Sequence, residues 1–263
     1  MSTVAALRTV CATRYVTPLR EGGSLPAIVE ADDSGLYVLK FRGAGQGPLA
    51  LVAELLAGEI GRALGLKVPE LAFVEVDSAL GRNEPDPEIR DLLRGSVGLN
   101  LGLDYLPGSI TFDPAVDSAA ADLASDAVWF DAFVTNVDRT ARNANLLWWH
   151  KVLYLIDHGA ALYFHHNWPS RESMAMSRFP AIRDHVLLPW ASRLPEADER
   201  LRPRLSADLF GQLVEQIPEA WLPPELGLSI AELRSGYRQF LTDRLAATAA
   251  FLEEAVHARA QLV

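Results

Sequence analysis

The chain has 263 residues, of which 49% are hydrophobic and 22% charged, and its formal net charge is −10. This length and composition predict a globular protein with a substantial core, built as one large domain or two lobes, and exclude a wholly disordered chain. The acidic balance and the lack of any basic run disfavour direct nucleic-acid binding, because phosphate contacts need clustered Lys and Arg.

The first predicted elements are two strands joined by a tight turn. The segments "LPAIVEA" (25–31) and "LYVLKF" (36–41) flank "DDSG", whose residues favour a turn, so together they predict a β-hairpin. Just before them, Gly22, Gly23 and Ser24 predict a flexible loop whose backbone N–H groups can cover phosphates. Because glycine pairs also make ordinary turns, that simpler interpretation stays open.

A helix is predicted next, beginning at Pro48 and ending at Gly65, because proline is tolerated in the first helical turn and glycine is a common C-terminal cap. The segment "PELAFVEVD" (69–77) predicts a strand, and "EPDPEIRDLL" (84–93) predicts a short helix with an acidic start. The segment "SVGLNLGLDYLPGS" (96–109) predicts a strand that leads into a connector containing Gly and Pro.

The composition becomes helical from about Asp117. The segment "SAAADLASDAVWFDAFVT" (118–135) predicts a helix, and the apolar segments "NLLWW" (145–149) and "VLYLI" (152–156) predict a tight hairpin. Beyond about Pro180 the chain is predicted to be mainly helical, above all in "DLFGQLVEQI" and in "IAELRSGYRQFLTDRLAATAAFLEEAVHARAQ".

The order of elements predicts an α+β protein with two lobes. Residues 1–106 form a small antiparallel β-rich N-lobe with one central helix, and residues 107–263 a larger, mainly helical C-lobe. A cleft between lobes is a common place for a ligand.

Several classes of protein are excluded by what the chain lacks. Cys11 is the only cysteine, so neither an intrachain disulfide nor a cysteine-based zinc site is expected. The first residues lack the pattern of a signal peptide, and no apolar stretch approaches the roughly 20 residues that a spanning helix needs. A cytoplasmic protein without a membrane partner is therefore expected.

Three polar side chains are predicted to converge at the open end of the second hairpin. Asn143 and Asp157 each lie seven residues from its centre near position 150, and Asp138 lies five residues before Asn143. An amide oxygen and a carboxylate are hard ligands of the kind that Mg²⁺ prefers, and the remaining Asp can orient a hydroxyl group and accept its proton. This order of motifs, D-x-x-x-x-N followed by a hairpin and D-x-G, is typical of phosphoryl transfer. In the simpler alternative, the three side chains only cap turns and satisfy backbone groups.

The N-lobe supplies a second set of candidates. Lys40 shares a strand face with apolar residues, so its ammonium group is predicted to be partly buried, where kinases place a Lys on the nucleotide phosphates. The acid predicted to hold it is Glu54, whose helical neighbours are apolar, whereas Glu59 is expected to pair with Arg62 at the surface. The alternative is a snorkelling Lys40 and an exposed Glu54.

The connector after the last N-lobe strand can offer backbone groups to an adenine ring. Asp104, Tyr105 and Leu106 are the residues predicted to do so. A plain link between a strand and a helix is an equally good interpretation of this segment.

The motifs resemble a known family. The segments "NVDRTARNANLLW" and "YLIDHG" resemble the HipA-like kinases and, more distantly, the phosphoinositide-kinase core, and "YVLKF", "ALGLKVPEL" and "GLNLGLDYLPG" resemble the rest of that family's nucleotide lobe. The resemblance spans about Arg14 to Leu162. It implies a protein-kinase-like fold that binds ATP and Mg²⁺ and acts on a protein Ser or Thr. The residues implied are Asp138 and Arg139 in catalysis, Asn143 and Asp157 on the metal, and Lys40 on the phosphates.

The chain departs from this family in two respects. Thr140 stands where the family usually has His, and no counterpart is expected for the N-terminal extension through which full-length HipA toxins contact an antitoxin. A toxin role and an antitoxin partner are therefore not expected.

Three alternative functions remain open at this point. One is a small-molecule kinase of the aminoglycoside or choline type, although those enzymes usually have His just before the first Asp, where this chain has Asn136 and Val137. The second is a module that binds nucleotide without transferring phosphate. The third is a metallohydrolase built on "DHGAALYFHH", whose spacing matches no established metal motif.

Overall fold

The computed structural model describes residues 5–19, 25–82 and 84–262. Gly22, Gly23 and Ser24 lie outside these ranges, so the phosphate-covering loop stays a prediction. The strands, in chain order, are β1 (Thr9–Pro18), β2 (Ala27–Ala31), β3 (Leu36–Lys40), β4 (Leu71–Val76), β5 (Gly98–Asp104), β6 (Ile110–Thr111), β7 (Leu146–Trp149) and β8 (Val152–Leu155). The α-helices are α1 (Gly47–Leu64), α2 (Pro87–Gly95), α3 (Ala121–Phe133), α4 (Arg171–Ala175), α5 (Leu194–Leu201), α6 (Ala207–Glu215), α7 (Ile230–Ala246) and α8 (Thr248–Ala260). Short 3-10 helices lie between them at Tyr163–Ser170, Pro180–Asp184, Leu188–Trp190, Arg202–Arg204, Glu219–Trp221 and Pro224–Leu226.

The first five strands form a closed barrel in the order β1-β2-β3-β5-β4. The predicted β2–β3 hairpin is confirmed, with Val29 opposite Tyr37 in its register. Strand β1 was not predicted in detail, because few of its side chains are buried and its apolar alternation is weak. The expectation of a purely antiparallel sheet is wrong at one place, since β1 pairs with β4 in parallel and this pairing closes the barrel. The other four pairings are antiparallel.

Helix α1 lies between the barrel and the helices that follow, and it is buried along most of its length. It begins one residue before the predicted Pro48 and ends at Gly65, which adopts a left-handed φ of 86° and donates its N–H to the carbonyls of the last turn. Only a residue without a Cβ adopts this conformation at little cost, which explains why the predicted cap is a glycine.

Strands β6, β7 and β8 form a second, three-stranded antiparallel sheet. The predicted β7–β8 hairpin is confirmed, with Leu146 opposite Leu155 and Trp149 opposite Val152. His150 and Lys151 both have positive φ, 49° and 63°, as a two-residue turn requires when its twist matches that of the flanking strands. The hairpin therefore brings the residues before β7 close to those after β8.

The rest of the chain is mainly helical, as the sequence predicts. The long helical segment near the C-terminus is two helices, α7 and α8, which meet at Ala247. At this joint the Thr248 hydroxyl donates to the Leu245 carbonyl at 2.5 Å, which offers the backbone an alternative to the continuous helical ladder. Helix α7 begins with a capping box, in which Ser229 and Glu232 satisfy each other's backbone N–H groups.

The helical part of the core contains stacked aromatic rings and the buried guanidinium group of Arg244. Trp129 and Phe133 of α3 stack on one another at 5.6 Å, and Phe251 of α8 meets Trp129 edge-on. Arg244 is fully buried among them and donates to the carbonyls of Ala132, Ala175 and Ser177. None of the helices in the described ranges is both long and apolar enough to cross a membrane.

The close packing of the barrel gives a stability prediction. A Cβ at Gly102 in β5 would lie 2.6 Å from Val74 Cγ2, so we expect Gly102→Ala to lower the free energy of unfolding by about 1–3 kcal/mol through overpacking. The control is Gly45→Ala, whose Cβ meets nothing within 4 Å and which should change stability by less than about 0.5 kcal/mol. Urea denaturation measures both, and equal stability of the two variants would contradict the packing argument.

Candidate active site

The loop between α3 and β7 holds Asp138 and Asn143 together, as their spacing predicts. Asn143 Nδ2 donates to Asp138 Oδ2 at 2.7 Å, and this use of the amide nitrogen leaves the amide oxygen available to a ligand. The backbones of Thr140 and Asn143 exchange two hydrogen bonds, of 3.0 and 3.1 Å, which closes the loop into a tight turn. The turn therefore fixes the distance between the two functional side chains.

A second amide, which the sequence analysis did not identify, also reaches Asp138. Asn145 Nδ2 lies 3.4 Å from Asp138 Oδ2, and the Asn145 carbonyl accepts from the N–H of Ile156 at 3.0 Å. Asn145 therefore lies opposite Ile156, the residue that precedes Asp157, whereas the sequence analysis placed only Asn143, opposite Asp157, at this end of the hairpin. The repeat of Asn two positions after Asn143 was the signal that could have found it.

Asp157 is partly exposed and contacts Lys40 of the barrel. Its Oδ1 lies 2.7 Å from Lys40 Nζ, and the Lys40 side chain is only 11% exposed. Burial alone lowers the pKa of Lys40, but the charges of Asp157 and Glu54 outweigh it, so that pKa lies above its ordinary value. The ammonium group is therefore charged and held against Asp157.

Asp138 lies within the electrostatic reach of Asp157. Partial burial raises the pKa of Asp138, and the negative charge of Asp157 raises it further, whereas hydrogen bonds from Asn145 and Asn143 lower it. The net effect is a pKa above the ordinary value. A carboxylate of raised pKa is a better proton acceptor, which suits a general base.

The predicted ion pair between Lys40 and Glu54 does not form. Glu54 is 1% exposed, as expected, but its Oε2 accepts from the backbone N–H of His158 at 2.9 Å and its Oε1 lies 3.2 Å from His158 Nδ1. Burial alone would raise the pKa of Glu54, yet the hydrogen bonds from His158 and the charge on Lys40 lower it to about 2. Glu54 thus holds the loop that carries Asp157. The sequence analysis placed this acid against Lys40, but the packing of α1 brings it into contact with His158 instead. Glu59 pairs with Arg62 as predicted.

Arg139 follows Asp138 in the chain but points into the protein. The residue is 1% exposed; its Nε donates to Asp131 Oδ2 at 2.6 Å and its Nη1 donates to the carbonyls of Asn145 and Ile156. Nη2 has no hydrogen-bond partner within the described residues. The sequence analysis expects Arg139 to act in catalysis. A guanidinium group buried in this way does not face a substrate, so the role that the structure leaves for Arg139 is to position the loop.

The connector predicted to meet adenine uses most of its backbone donors within the fold. The N–H of Asp104 donates to the Glu70 carbonyl at 2.8 Å, and that of Tyr105 donates to the Leu36 carbonyl at 2.9 Å. The Leu106 N–H makes no hydrogen bond to the residues that the structure describes. Of the three backbone N–H groups predicted to contact adenine, only that of Leu106 is therefore not already used by the described residues.

The donor set around Asp138 fits a hard divalent cation. It offers two carboxylates and an amide oxygen, with no sulfur and no free imidazole at the same place, which is the chemistry that Mg²⁺ prefers. In the described ranges no group of three His, Cys, Asp or Glu residues could hold a metal. His158 and His165 contact Glu54 and Tyr237, so the alternative of a transition-metal hydrolase gains no support.

Two cavities lie near these elements. A narrow one is lined by Lys40, Glu54 and Asp157 together with the N-terminal residues of α1. A larger cavity of about 820 Å³ lies between the N-terminal segment, the end of α1 and the start of α6, around Arg8 and Arg204. This larger cavity contains none of the candidate residues, so it was not the cavity that the sequence motifs indicated.

Comparison with known proteins places the chain in a family. The sequence profile of the HipA-like kinases matches residues 13–239, which is most of the chain. The chain therefore belongs to the HipA-like kinase family, whose members are kinase-type phosphotransferases. No curated protein matches it.

One of two similar solved structures supports the type of fold. The Helicobacter pylori proinflammatory kinase CtkA is 14% identical, with a TM-score of 0.56 over 94% of this chain and 95% of that chain. This likeness shows a protein-kinase-like fold of mixed α and β content. A Golgi casein kinase solved with Mn and ADP bound is 12% identical, with a TM-score of 0.48 over 96% of this chain and 74% of that chain.

The contact between Glu54 and His158 gives a prediction about stability and pH. We expect Glu54→Gln to lower the free energy of unfolding at pH 7 by about 1–3 kcal/mol, because the buried ammonium of Lys40 loses a nearby charge and the His158 imidazole loses its carboxylate partner. A carboxylate with a lowered pKa stabilises the fold above its ordinary pKa. The difference from the unmodified protein should therefore be full above pH 4.5 and decline as the pH falls toward about 2.

Chemical denaturation at a series of pH values measures this difference. The comparison variant is Glu59→Gln on the same helix, which removes a half-buried pair with Arg62. Burial raises the pKa of Glu59 instead of lowering it, so this variant should not show an effect that declines as the pH falls from 4.5 toward 2. Equal effects of the two substitutions, or a Glu54→Gln effect that does not depend on pH, would contradict the role given to Glu54.

Proposed function

We propose that this HipA-like kinase transfers the terminal phosphoryl group of ATP, bound with Mg²⁺, to the hydroxyl group of a Ser or Thr on a protein. The observation that carries the proposal is a chain of neighbouring polar groups: Asn143 donates to Asp138, the charge of Asp157 acts on Asp138, and Asp157 pairs with Lys40. A carboxylate poised beside an amide oxygen, a second carboxylate and a buried ammonium group is the set that phosphoryl transfer needs.

The roles follow from chemistry. The acceptor hydroxyl oxygen forms a bond to the terminal phosphorus while the bond from that phosphorus to the bridging oxygen of ADP breaks. The hydroxyl proton passes to the Asp138 carboxylate, whose raised pKa favours its uptake. Asn143 and Asp157 would hold Mg²⁺, which when bound neutralises charge on the triphosphate. Lys40 would contact the phosphates in place of Asp157.

The nucleotide would lie between two lobes, as the sequence predicts. Residues 1–106 would form the nucleotide-binding lobe, with Leu106 offering a backbone donor to the adenine, and residues 107–263 would carry the catalytic loop. A Ser or Thr acceptor is supported by the family rather than by a specific contact. Asn136 occupies the place of the His found in small-molecule kinases, and its side chain is used internally to hold Asp131, which favours the protein acceptor mildly. The cytoplasmic location stays a prediction.

The first test removes the proposed base. We expect Asp138→Ala to lower the rate of phosphoryl transfer by at least ~100-fold, because the acceptor hydroxyl loses both its orientation and its proton acceptor. ADP affinity should change less than about twofold, since Asp138 makes no ion pair with Lys40. Autophosphorylation with radiolabelled ATP and ADP titration by calorimetry measure the two quantities. The control is Asp91→Ala, which removes an exposed pair in α2, and transfer that survives in Asp138→Ala would exclude this residue as the base.

The second test concerns the metal. We expect the unmodified protein to bind ADP at least ~10-fold more tightly with Mg²⁺ than without it, and Asp157→Asn to reduce that gain to about twofold, because the substitution removes a ligand charge. Calorimetry with and without Mg²⁺ measures the gain in each form. A gain of equal size in Asp157→Asn would show that Mg²⁺ is held elsewhere.

A further inference from the structure

A buried polar cluster lies under the catalytic loop, which we define as residues 136–145. Its centre is Asp131 on α3, which has no exposed surface. Asp131 Oδ1 accepts from Asn136 Nδ2 at 2.9 Å, and Oδ2 accepts from Arg139 Nε at 2.6 Å and from His185 Nε2 at 2.9 Å. A single carboxylate is thus held by three side chains, two from the loop and one from a distant segment.

The hydrogen bonds of His185 fix its tautomer. The backbone N–H of Leu187 donates to His185 Nδ1 at 3.0 Å, so Nδ1 is an acceptor and the ring proton lies on Nε2. Burial and the charge of Arg139 lower the pKa of His185, whereas Asp131 raises it. The net effect is a pKa below the ordinary value. A neutral imidazole therefore satisfies both of its nitrogens here, one as donor to Asp131 and one as acceptor from the backbone.

The cluster also makes hydrogen bonds to the backbone at or next to both proposed functional residues, Asp138 and Asp157. Asn136 Oδ1 accepts from the backbone N–H of Asp138 at 3.1 Å. Arg139 Nη1 donates to the carbonyl of Ile156, the residue just before Asp157, at 3.1 Å. A change in the position of the Asp131 carboxylate would therefore move the proposed base and the proposed metal ligand together.

The backbone of the distant segment also supports the loop. Thr140 and His185 form an isolated antiparallel bridge, and the N–H of Val186 donates to the Arg139 carbonyl at 3.0 Å. His185 is thus attached to the loop by its main chain as well as by its ring. His185 and its neighbour Val186 therefore hold the loop through the backbone, in addition to the contact of the His185 ring with Asp131.

We propose that His185 is a positioning residue for phosphoryl transfer, which acts through Asp131 by donating its Nε2 proton and so fixing the carboxylate against Asn136 and Arg139. The kinetic part of this proposal rests on the proposed function. A displacement of about 1 Å in a reacting group can cost two orders of magnitude in rate. Loss of the His185 donor should therefore lower the rate of transfer much more than it weakens nucleotide binding.

The substitutions His185→Phe and His185→Gln separate this role from packing. Phe fills the space without a donor, whereas the Gln amide can still donate from nearly the same place. We expect His185→Phe to lower kcat for autophosphorylation by ~10-fold or more with the KM for ATP changed less than about twofold, and His185→Gln to restore most of the loss. The matched control is His165→Phe, another buried His, which contacts Tyr237 away from the loop. It should lower the melting temperature but leave kcat of the folded protein within about twofold.

Two measurements stand apart from activity. Long-range ¹H–¹⁵N spectra should show His185 as the neutral Nε2–H tautomer between pH 6 and 8. Hydrogen exchange of a peptide over residues 137–145 should be ~10-fold faster in His185→Phe and near normal in His185→Gln. Unchanged exchange in His185→Phe, or no recovery in His185→Gln, would overturn the positioning role. If the unmodified protein transfers no phosphate while the exchange results hold, the proposed function fails and the role of His185 in holding the loop stands.

Discussion

The catalytic loop depends on one buried ion pair, between Arg139 and Asp131, whose side chains are both 0% exposed. Removing two charges from water costs several kcal/mol per ion, and attraction offsets that cost only when the surrounding donors and acceptors are matched. Asn136 and His185 donate further hydrogen bonds to Asp131. The carbonyls of Asn145 and Ile156 accept hydrogen bonds from the Arg139 guanidinium. Few other arrangements would leave these buried charges matched, which is why the pair specifies the geometry of the loop.

The cleft itself carries a second, less buried pair, whose consequences differ. The Lys40 and Asp157 side chains are 11% and 38% exposed, and their contact keeps both charges matched. Under the proposed function, in which Lys40 binds phosphates and Asp157 binds a cation, this contact would open when the nucleotide binds. Glu54 does not take part in that exchange, because it is held by His158. Helix α1 can therefore stay attached to the Asp157 loop, whose left-handed φ of 54° needs such outside support.

Local signals in the sequence predicted what local physics determines. The β2–β3 and β7–β8 hairpins, helix α1 and the contact between Asp138 and Asn143 follow from turn residues, caps and a spacing of five. The parallel pairing of β1 with β4 did not follow, because a weakly apolar strand takes its place from the barrel that it closes. The partner of Glu54 was mistaken for a similar reason. Spacing shows that an acid faces inward, but which of two nearby groups it meets depends on how α1 packs against the loop after β8.

The cluster around Asp131 could not be predicted from the sequence, because two of its members lie far apart in the chain and belong to no motif. Asp131 and His185 are 54 positions apart, and each alone is an ordinary polar residue within an apolar stretch. Their pairing becomes visible only when α3 and the segment after Pro180 are packed together. The groups that would react lie on the D-x-x-x-x-N loop, where a motif exposes them, whereas the groups that hold them lie on other elements, where no motif does. Hydrogen bonds within the loop fix Asp138 relative to Asn143, whereas the buried charge network fixes the loop relative to α3 and to the residue before Asp157, so the geometry of this site depends as much on α3 as on the motif.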